Sequence, residues 1–469
     1  MKKNEKYSFS LSLETGFSLS AEQQNVIDVI YRHITERDFR GFIIVHGLSR
    51  TGKTSLIKPI AKLYKKTGGE VILTAPGFIA SQHTASITGL PVDVLQDILY
   101  EGRQECDDTG FPSQVKLIPK EAYLTSPGLI IIDEANLLSV YPQNFAGIVS
   151  EHSMLEDLIR FYNTLPQKSI LLLLGDKSKI PQPQYHIPVA LDSWYLLRKH
   201  KILVSGHVEL KRQAEWFAAE HGFANTQQNQ FLREFDSTIP ASSHFIDLSD
   251  PVNAARRYKA LFRRSDTHKI ITVAWRNETV DTWNKLLRRH LFPASTGPVC
   301  TGDRLIVQRG QRKPNLFYSG QFLHVLSCIG PVEQVENLQF QQIEIEYQCL
   351  KGKIHRRRVM LCLSFLTASK PFLDEGTLRN LFHNRRAQND RLKETGDFAD
   401  DPYLSALYVR YGYAITLHRA QGGRWDHVII DPEILSHSRA YAYTASALAG
   451  KSIYSFFHTD NEEDATGSY

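Results

Sequence analysis

Residues Gly47-Leu48-Ser49-Arg50-Thr51-Gly52-Lys53-Thr54 spell G-x-x-x-x-G-K-T and follow the apolar run Phe42-Ile43-Ile44-Val45. A buried strand feeding a glycine loop that opens a helix is the context this pattern needs. The helix is expected to begin near Lys53 and to carry Leu56, Ile57, Ile60 and Leu63 on one side. Gly47 and Gly52 let backbone N–H groups wrap a phosphate chain. In this pattern Lys53 reaches the outer phosphates and the Thr54 hydroxyl ligates Mg²⁺, with Ser55 beside them. A glycine turn that binds nothing is the plainer alternative, and the strand-to-helix setting weighs against it.

The chain has 469 residues, of which 42% are hydrophobic, so it can build sizeable cores in two to four domains. Its net charge of +5 suits a polyanionic partner. Five cysteines form no C-x-x-C pair, which argues against a zinc site or a disulfide framework and for reduced thiols. No apolar segment follows Met1-Lys2-Lys3-Asn4-Glu5, and no run approaches a spanning length. The expectation is a cytoplasmic protein with no membrane partner. The segment 459–469 reads as a flexible acidic tail.

Short apolar strands recur, each followed by a polar residue and a helical pattern. Val71-Ile72-Leu73 leads to Thr74, Leu129-Ile130-Ile131-Ile132 to Asp133, and Ile170 to Leu174 to Gly175-Asp176. Such alternation predicts a parallel α/β sheet covered on both faces, with ligands at the carboxyl ends of its strands. Ile270-Ile271-Thr272-Val273, Tyr413-Ala414-Ile415-Thr416 and Val428-Ile429-Ile430 predict a second parallel α/β domain. Between its halves, Gln342-Ile343-Glu344-Ile345-Glu346-Tyr347 alternates with period two, and glycines punctuate the flanks. That predicts a small antiparallel barrel. The domains follow as 1–205, with a short insertion at 90–127; 206–299 together with 367–458; and the barrel at 300–366.

Asp133-Glu134 ends a buried strand. A carboxylate there can hold Mg²⁺ through water, and its neighbour can orient an attacking water. Asp176, on the next strand, is placed to sense a γ-phosphate. Taken together, the segments from Leu19 to about Tyr454 resemble superfamily 1 DNA helicases of the RecD-like and Dda-like branch. The resemblance implies two RecA-like domains with an SH3-like insertion, ATP and Mg²⁺ as cofactors, and hydrolysis coupled to 5′-to-3′ movement on single-stranded DNA or single/double-strand junctions. Leu19-Ser20-Ala21-Glu22-Gln23 is similar to the adenine-reading motif, making Gln23 the implied base contact. Leu73-Thr74-Ala75-Pro76 resembles a strand-binding motif and assigns Thr74 and Pro76 to DNA. Leu210-Lys211-Arg212-Gln213 resembles the element whose arginine, here Arg212, touches the γ-phosphate from the second domain. Gly302-Asp303-Arg304 resembles the start of the SH3-like insertion. Tyr413 to Gly423 resembles the segment that contacts DNA through Thr416 and His418 and the nucleotide through Gln421 and Gly422.

Two positions depart from the family pattern. Gly175-Asp176-Lys177-Ser178-Lys179-Ile180-Pro181 carries Lys179 where the family has glutamine. An ammonium can reach a phosphate but accepts no hydrogen bond from water. Tyr443-Thr444-Ala445-Ser446-Ala447-Leu448-Ala449 carries Leu448 where the family has arginine. In related nucleotide hydrolases an arginine finger contributes about 10³–10⁵ in rate. Three explanations compete: Lys451 or Arg439 replaces the arginine, Arg212 suffices for a slow motor, or the protein binds ATP and DNA as a switch without productive unwinding. DNA repair or defence against foreign DNA is the setting a switch would fit.

A single-strand surface combines cations with aromatic faces. Phe78 and Trp425 are the aromatic candidates, although aromatics near strand ends are more often core. Basic clusters at Arg256-Arg257, Arg263-Arg264, Arg288-Arg289, Arg356-Arg357-Arg358 and Arg385-Arg386 imply phosphate contact without base readout, or simply solvated faces. RNA stays open as an alternative strand. The insertion at 90–127 lies where relatives carry a strand-separating pin.

Overall fold

The computed structural model describes residues 19–456 except 37, 39, 146, 211–243, 263–265, 267, 296, 311–316 and 367–372. Arg212 and the acidic tail lie outside the described residues. The chain divides into two compact units. One takes the residues up to 210 together with 297–411 and 421–423, and the other takes 244–295, 412–420 and 424–456.

Six strands, numbered in chain order, build the central sheet of the first unit: β1 (Gly41–Gly47), β2 (Glu70–Ala75), β3 (Asp93–Val94), β6 (Gly128–Ile132), β9 (Ile170–Gly175) and β10 (Gly206–Leu210). Their order is β10–β1–β9–β6–β2–β3, and every pair is parallel. Both faces are covered, as the unbroken apolar runs require. Ile43, Val45, Ile131 and Leu172 pack with Leu56, Ile57 and Ile60 of the helix Lys53–Lys65. Phe42, Ile44, Ile130 and Leu171 pack on the other side with Leu155 and Leu158 of the helix Met154–Thr164. Each such side chain contributes roughly 1.5–3 kcal/mol on burial. The strand 206–210, expected in the second domain, pairs instead along β1 and completes the first sheet.

The antiparallel insertion forms as expected from β13 (Arg304–Val307), β14 (Phe322–Val335), β15 (Leu338–Gln348) and β16 (Ile354–Cys362). A fifth strand, β17 (Val409–Tyr411), pairs with β13. A bridge between Leu361 and Leu407 joins the two edges of this sheet and closes it. The boundary at 366 is therefore corrected: the chain returns at 407–411 to finish the barrel. The barrel also belongs to the first unit, not the second. Phe78 stacks on Tyr318 at 5.2 Å, the Tyr318 hydroxyl donates to Asp97 at 2.8 Å, and Gln82 donates to Gln348 at 3.0 Å.

The short insertion is a hairpin of β4 (Tyr100–Cys106) and β5 (Pro112–Pro119), widened into a four-stranded sheet by β7 (Pro142–Phe145) and β8 (Ile148–Ser153). Its tip is not free. Phe111 is 1% exposed and sits in a cluster with Phe340, Phe365, Leu381, Phe382 and Leu392. Arg379 pairs with Asp107 and lies 4.5 Å over the Phe111 ring. The helix Glu375–Gln388, which carries Arg379, thus clamps the turn.

In the second unit β11 (His244–Asp247), β12 (Ile270–Ala274), β18 (Ala414–Thr416), β19 (Trp425–Ile430) and β20 (Ala449–Ser455) form a parallel sheet in the order β11–β20–β19–β12–β18. The helix Asn277–Leu291 covers it with Val280, Trp283 and Leu287. Asn284 fixes β18 by accepting from the backbone of Tyr413 and Ala414 at 3.1 and 2.9 Å. Among the described residues no helix is long and apolar enough to cross a membrane.

Candidate nucleotide site

The loop 47–54 turns out of β1 as the sequence predicts. Gly52 takes φ +85°, which an L side chain adopts only with strain, and a Cβ at Gly47 would stand 2.5 Å from the Leu210 carbonyl oxygen. Both glycines are thus required by the path of the chain. Lys53 starts the helix, and its Nζ donates to the carbonyls of Gly47 and Leu48 at 2.7 Å each. Burial pushes its pKa below the ordinary lysine value, and the charge of Asp176 opposes that shift. Thr54 Oγ1 donates to Asp133 Oδ2 at 3.0 Å, and Thr84 Oγ1 donates to the same oxygen at 2.8 Å. Burial, then the neighbouring Glu134 charge, raises Asp133 above the usual carboxylate range. The sequence reading missed Thr84. It projects from the helix Phe78–Thr88, and no motif marks it.

Hydroxyl and carboxylate oxygens this close suit Mg²⁺, a hard cation that keeps several waters and shares phosphate oxygens with its nucleotide. Among the described residues no cluster of three or more His, Cys, Asp or Glu could hold an ion unaided. The fitting site is the Thr54–Asp133 pair.

Glu134 is held in the left-handed region, φ +53° and ψ +40°, which is uncommon for a non-glycine residue. Its two carboxylate oxygens accept from Lys179 Nζ at 2.9 and 2.7 Å. Burial alone raises Glu134, but the Lys179 ammonium outweighs it and leaves the carboxyl below its ordinary range. Lys179 is desolvated too, and Glu134 and Asp176 together hold its ammonium above the usual value. Asn136 connects the two strand ends. Its Nδ2 donates to Glu134 at 3.3 Å, and its Oδ1 accepts from the Asp176 backbone at 3.2 Å. The sequence reading placed Lys179 at a phosphate; here it sits on the carboxylate expected to orient water.

Comparison with known proteins gives one family: the AAA domain, matched over residues 18–178. The match spans the loop, Asp133-Glu134 and Asp176. Among solved structures, the Pif1 helicase from Candida albicans is similar at 13% identity and a TM-score of 0.44, covering 93% of this chain and 94% of that one. Bacteroides Pif1 bound to ssDNA is similar at 14% identity and a TM-score of 0.43, covering 93% and 92%. No curated protein sequence matches the chain.

The other expected site residues divide. Gln23 lies against the loop: its Nε2 donates to the Thr51 carbonyl at 3.2 Å and its Oε1 accepts from the Ser20 backbone at 3.0 Å. Ser55 is half-buried on the first turn of the helix. Thr74 and Phe78 are corrected as nucleic-acid contacts, because they are buried to 0% and 4% exposure. Thr74 sits deep at the end of β2, where its carbonyl accepts from the Asp133 backbone. Phe78 faces Tyr318 instead of solvent. Pro76, between them, is half-buried.

Gln421 and Gly422 fall in the same unit as the loop 47–54. Gln421 is buried, and its Oε1 has no hydrogen-bond partner among the described residues, leaving an acceptor for a ligand donor. Gly422 has φ +79°, and a Cβ there would stand 2.6 Å from the Ala80 Cβ.

In the second unit Trp425 is core at 1% exposure, so its assignment to DNA is corrected. Thr416 is half-buried at the end of β18, and His418 is exposed just beyond it. An aromatic group that the sequence did not flag stands nearby. Trp275, after β12, lies 3.8 Å from His437, and Tyr441 lies 4.4 Å from His437 and 5.6 Å from His418. Its signal was Trp275 directly after a predicted strand end. Leu448 is buried at 2% exposure. Lys451 pairs with Asp426 at 3.0 Å, and Arg439 is exposed at the start of the helix Arg439–Ala447. Several basic clusters have structural partners: Arg385 binds Asp401 at 2.9 Å, Arg257 the Tyr454 hydroxyl at 2.9 Å, and Arg356 Glu346 at 3.0 Å.

Proposed function

We propose that this chain is an ATP-driven motor that moves on single-stranded DNA. The observation that carries the reading is one set of neighbouring side chains: buried Lys53 in its glycine loop, the Thr54 hydroxyl on the buried Asp133 carboxylate, and Glu134 on the adjoining turn. Lys53 binds the outer phosphates, Thr54 and Asp133 hold Mg²⁺, and Glu134 orients the attacking water. Bound there, Mg²⁺ would neutralise charge on the phosphate oxygens. Water attacks the γ-phosphorus, the bond to the β-bridging oxygen breaks, ADP leaves with the electron pair, and the water proton passes to Glu134. Arg212 is proposed to meet the γ-phosphate from outside the loop, and Gln23, Ser55, Asp176, Gln421 and Gly422 to line the nucleotide.

Coupling to the strand is proposed through Thr416 and His418, with 5′-to-3′ movement following from the resemblance to the RecD-like branch. Junctions are the proposed substrate, DNA repair the proposed setting and the cytoplasm the proposed location. Phosphate release measured with single-stranded DNA, duplex DNA and RNA tests the reading. Stimulation by single-stranded DNA above the other two is expected; equal rates with and without nucleic acid would refute the motor.

A second reading is an ATP-binding switch with weak or no unwinding. It is favoured by Leu448, which brings no charge to the site, and by the Lys179–Glu134 pair. Tight ATP binding without turnover in the same assay would select it.

A further inference from the structure

The Lys179–Glu134 contact is unlike an ordinary surface ion pair. The Lys179 side chain is 8% exposed and that of Glu134 17%, and a single ammonium spans both carboxylate oxygens. Exposed pairs are held weakly, whereas a desolvated, hydrogen-bonded pair breaks only if each charge finds another partner. The two residues are also held in register. Asn136 bonds both Glu134 and the Asp176 backbone, and Gln182 Nε2 donates to the carbonyls of Asn136 and Leu138 at 3.1 and 2.8 Å. The turn bearing Glu134 and the loop bearing Lys179 are therefore tied together on both sides of the pair.

A carboxylate acts on water only through a lone pair aimed at it. Here the Lys179 ammonium engages both oxygens and Asn136 approaches one of them as well, so most of the acceptor capacity of the carboxylate is committed. Buried Asp133 and Asp176 and partly buried Glu134 make three carboxylates against two buried ammonium groups, Lys53 and Lys179. A triphosphate brings further negative charge and competes for the same cations.

We propose that Lys179 gates the hydrolytic base: its ammonium sequesters the Glu134 carboxylate until the γ-phosphate of a nucleotide draws that ammonium away. The inference rests on the reading of this site as a nucleotide hydrolase. It gives the lysine a role beyond phosphate contact, since the same cation that silences the base reports that a third phosphate has arrived. A diphosphate, which lacks that group, leaves the pair closed.

Equilibrium binding of fluorescent ADP and fluorescent ATPγS, with Mg²⁺ and the full chain, tests the gate without turnover. The natural chain, Glu134→Gln, Lys179→Gln and their double variant are compared, together with Lys179→Met alone and combined with Glu134→Gln as a second way to remove the ammonium. Glu134→Gln releases the lysine, so ATPγS should bind about tenfold more tightly while ADP affinity stays within about twofold. In the Lys179→Gln or Lys179→Met background the same Glu134→Gln change should alter neither affinity. An equal gain with and without Lys179 would overturn the gate while leaving the nucleotide site intact. Failure of the natural chain to bind either nucleotide would overturn both the gate and the site reading.

Discussion

Thr84 shows how much of this site depends on a residue no motif names. Its hydroxyl and that of Thr54 converge on one oxygen of a buried carboxylate. Thr84→Val keeps the shape and removes one donor. It should cost about 1–3 kcal/mol of stability by leaving Asp133 underbonded. Loss of orientation around the metal should also weaken Mg²⁺ affinity by about tenfold. A thermal melt and a Mg²⁺ titration of phosphate release check the two parts. His324 belongs to the same scale. It is buried in β14, and both ring nitrogens lack partners among the described residues. Burial, then the Arg304 charge, lowers its pKa from 6.5 to about 3. The folded ring stays neutral while the unfolded ring takes a proton below 6.5, so stability falls as pH drops from 6.5 toward about 3. At pH 5 this single group costs ~2 kcal/mol relative to neutral pH. His324→Leu should flatten that part of the pH–stability curve, read by denaturant unfolding at pH 7 and pH 5.

At the level of elements, the hairpin β4–β5 is the feature that departs furthest from expectation. Its turn is packed into the helices that lie between β16 and β17, with Phe111 as the plug. Phe111→Ala should destabilise the protein by about 3–5 kcal/mol, the usual loss for a buried phenylalanine. Protease cleavage between Cys106 and Pro112 should rise in parallel; a melt and a cleavage pattern like those of the natural chain would contradict the plug. The same element marks where the sequence stopped being legible. The strands around the loop 47–54 were readable because continuous apolar runs with polar ends admit few other folds. Period-two alternation in β15 was equally plain. The partners of Phe111 were not, because its docking surface is built from residues more than two hundred positions away. Trp425 and Phe78 misled for a related reason: sequence shows that an aromatic stands near a strand end, but not which way its ring turns. Lys179 was visible as a departure, yet its pairing with Glu134 depends on the turn geometry at Asn136.

For the whole molecule, the division into units does not follow the chain. The barrel and its helices belong to the unit of the first sheet, although they are interposed between strands of the second sheet. A fragment ending at residue 210 keeps all six strands of the first sheet but loses the pocket for Phe111. That fragment should aggregate as expressed, and Phe111→Ser should raise its soluble yield. Equal solubility of the two fragments would argue that the plug is not exposed by truncation.

β20 lies between β11 and β19, so the inner position of the second sheet is filled by a late segment of the chain. While the protein is being synthesised, β11 waits with an unpaired edge until Ala449–Ser455 leaves the ribosome. Throughout the synthesis of the segments between those two strands the second sheet is therefore an open template, and its maturation waits for the strand that fills its inner position.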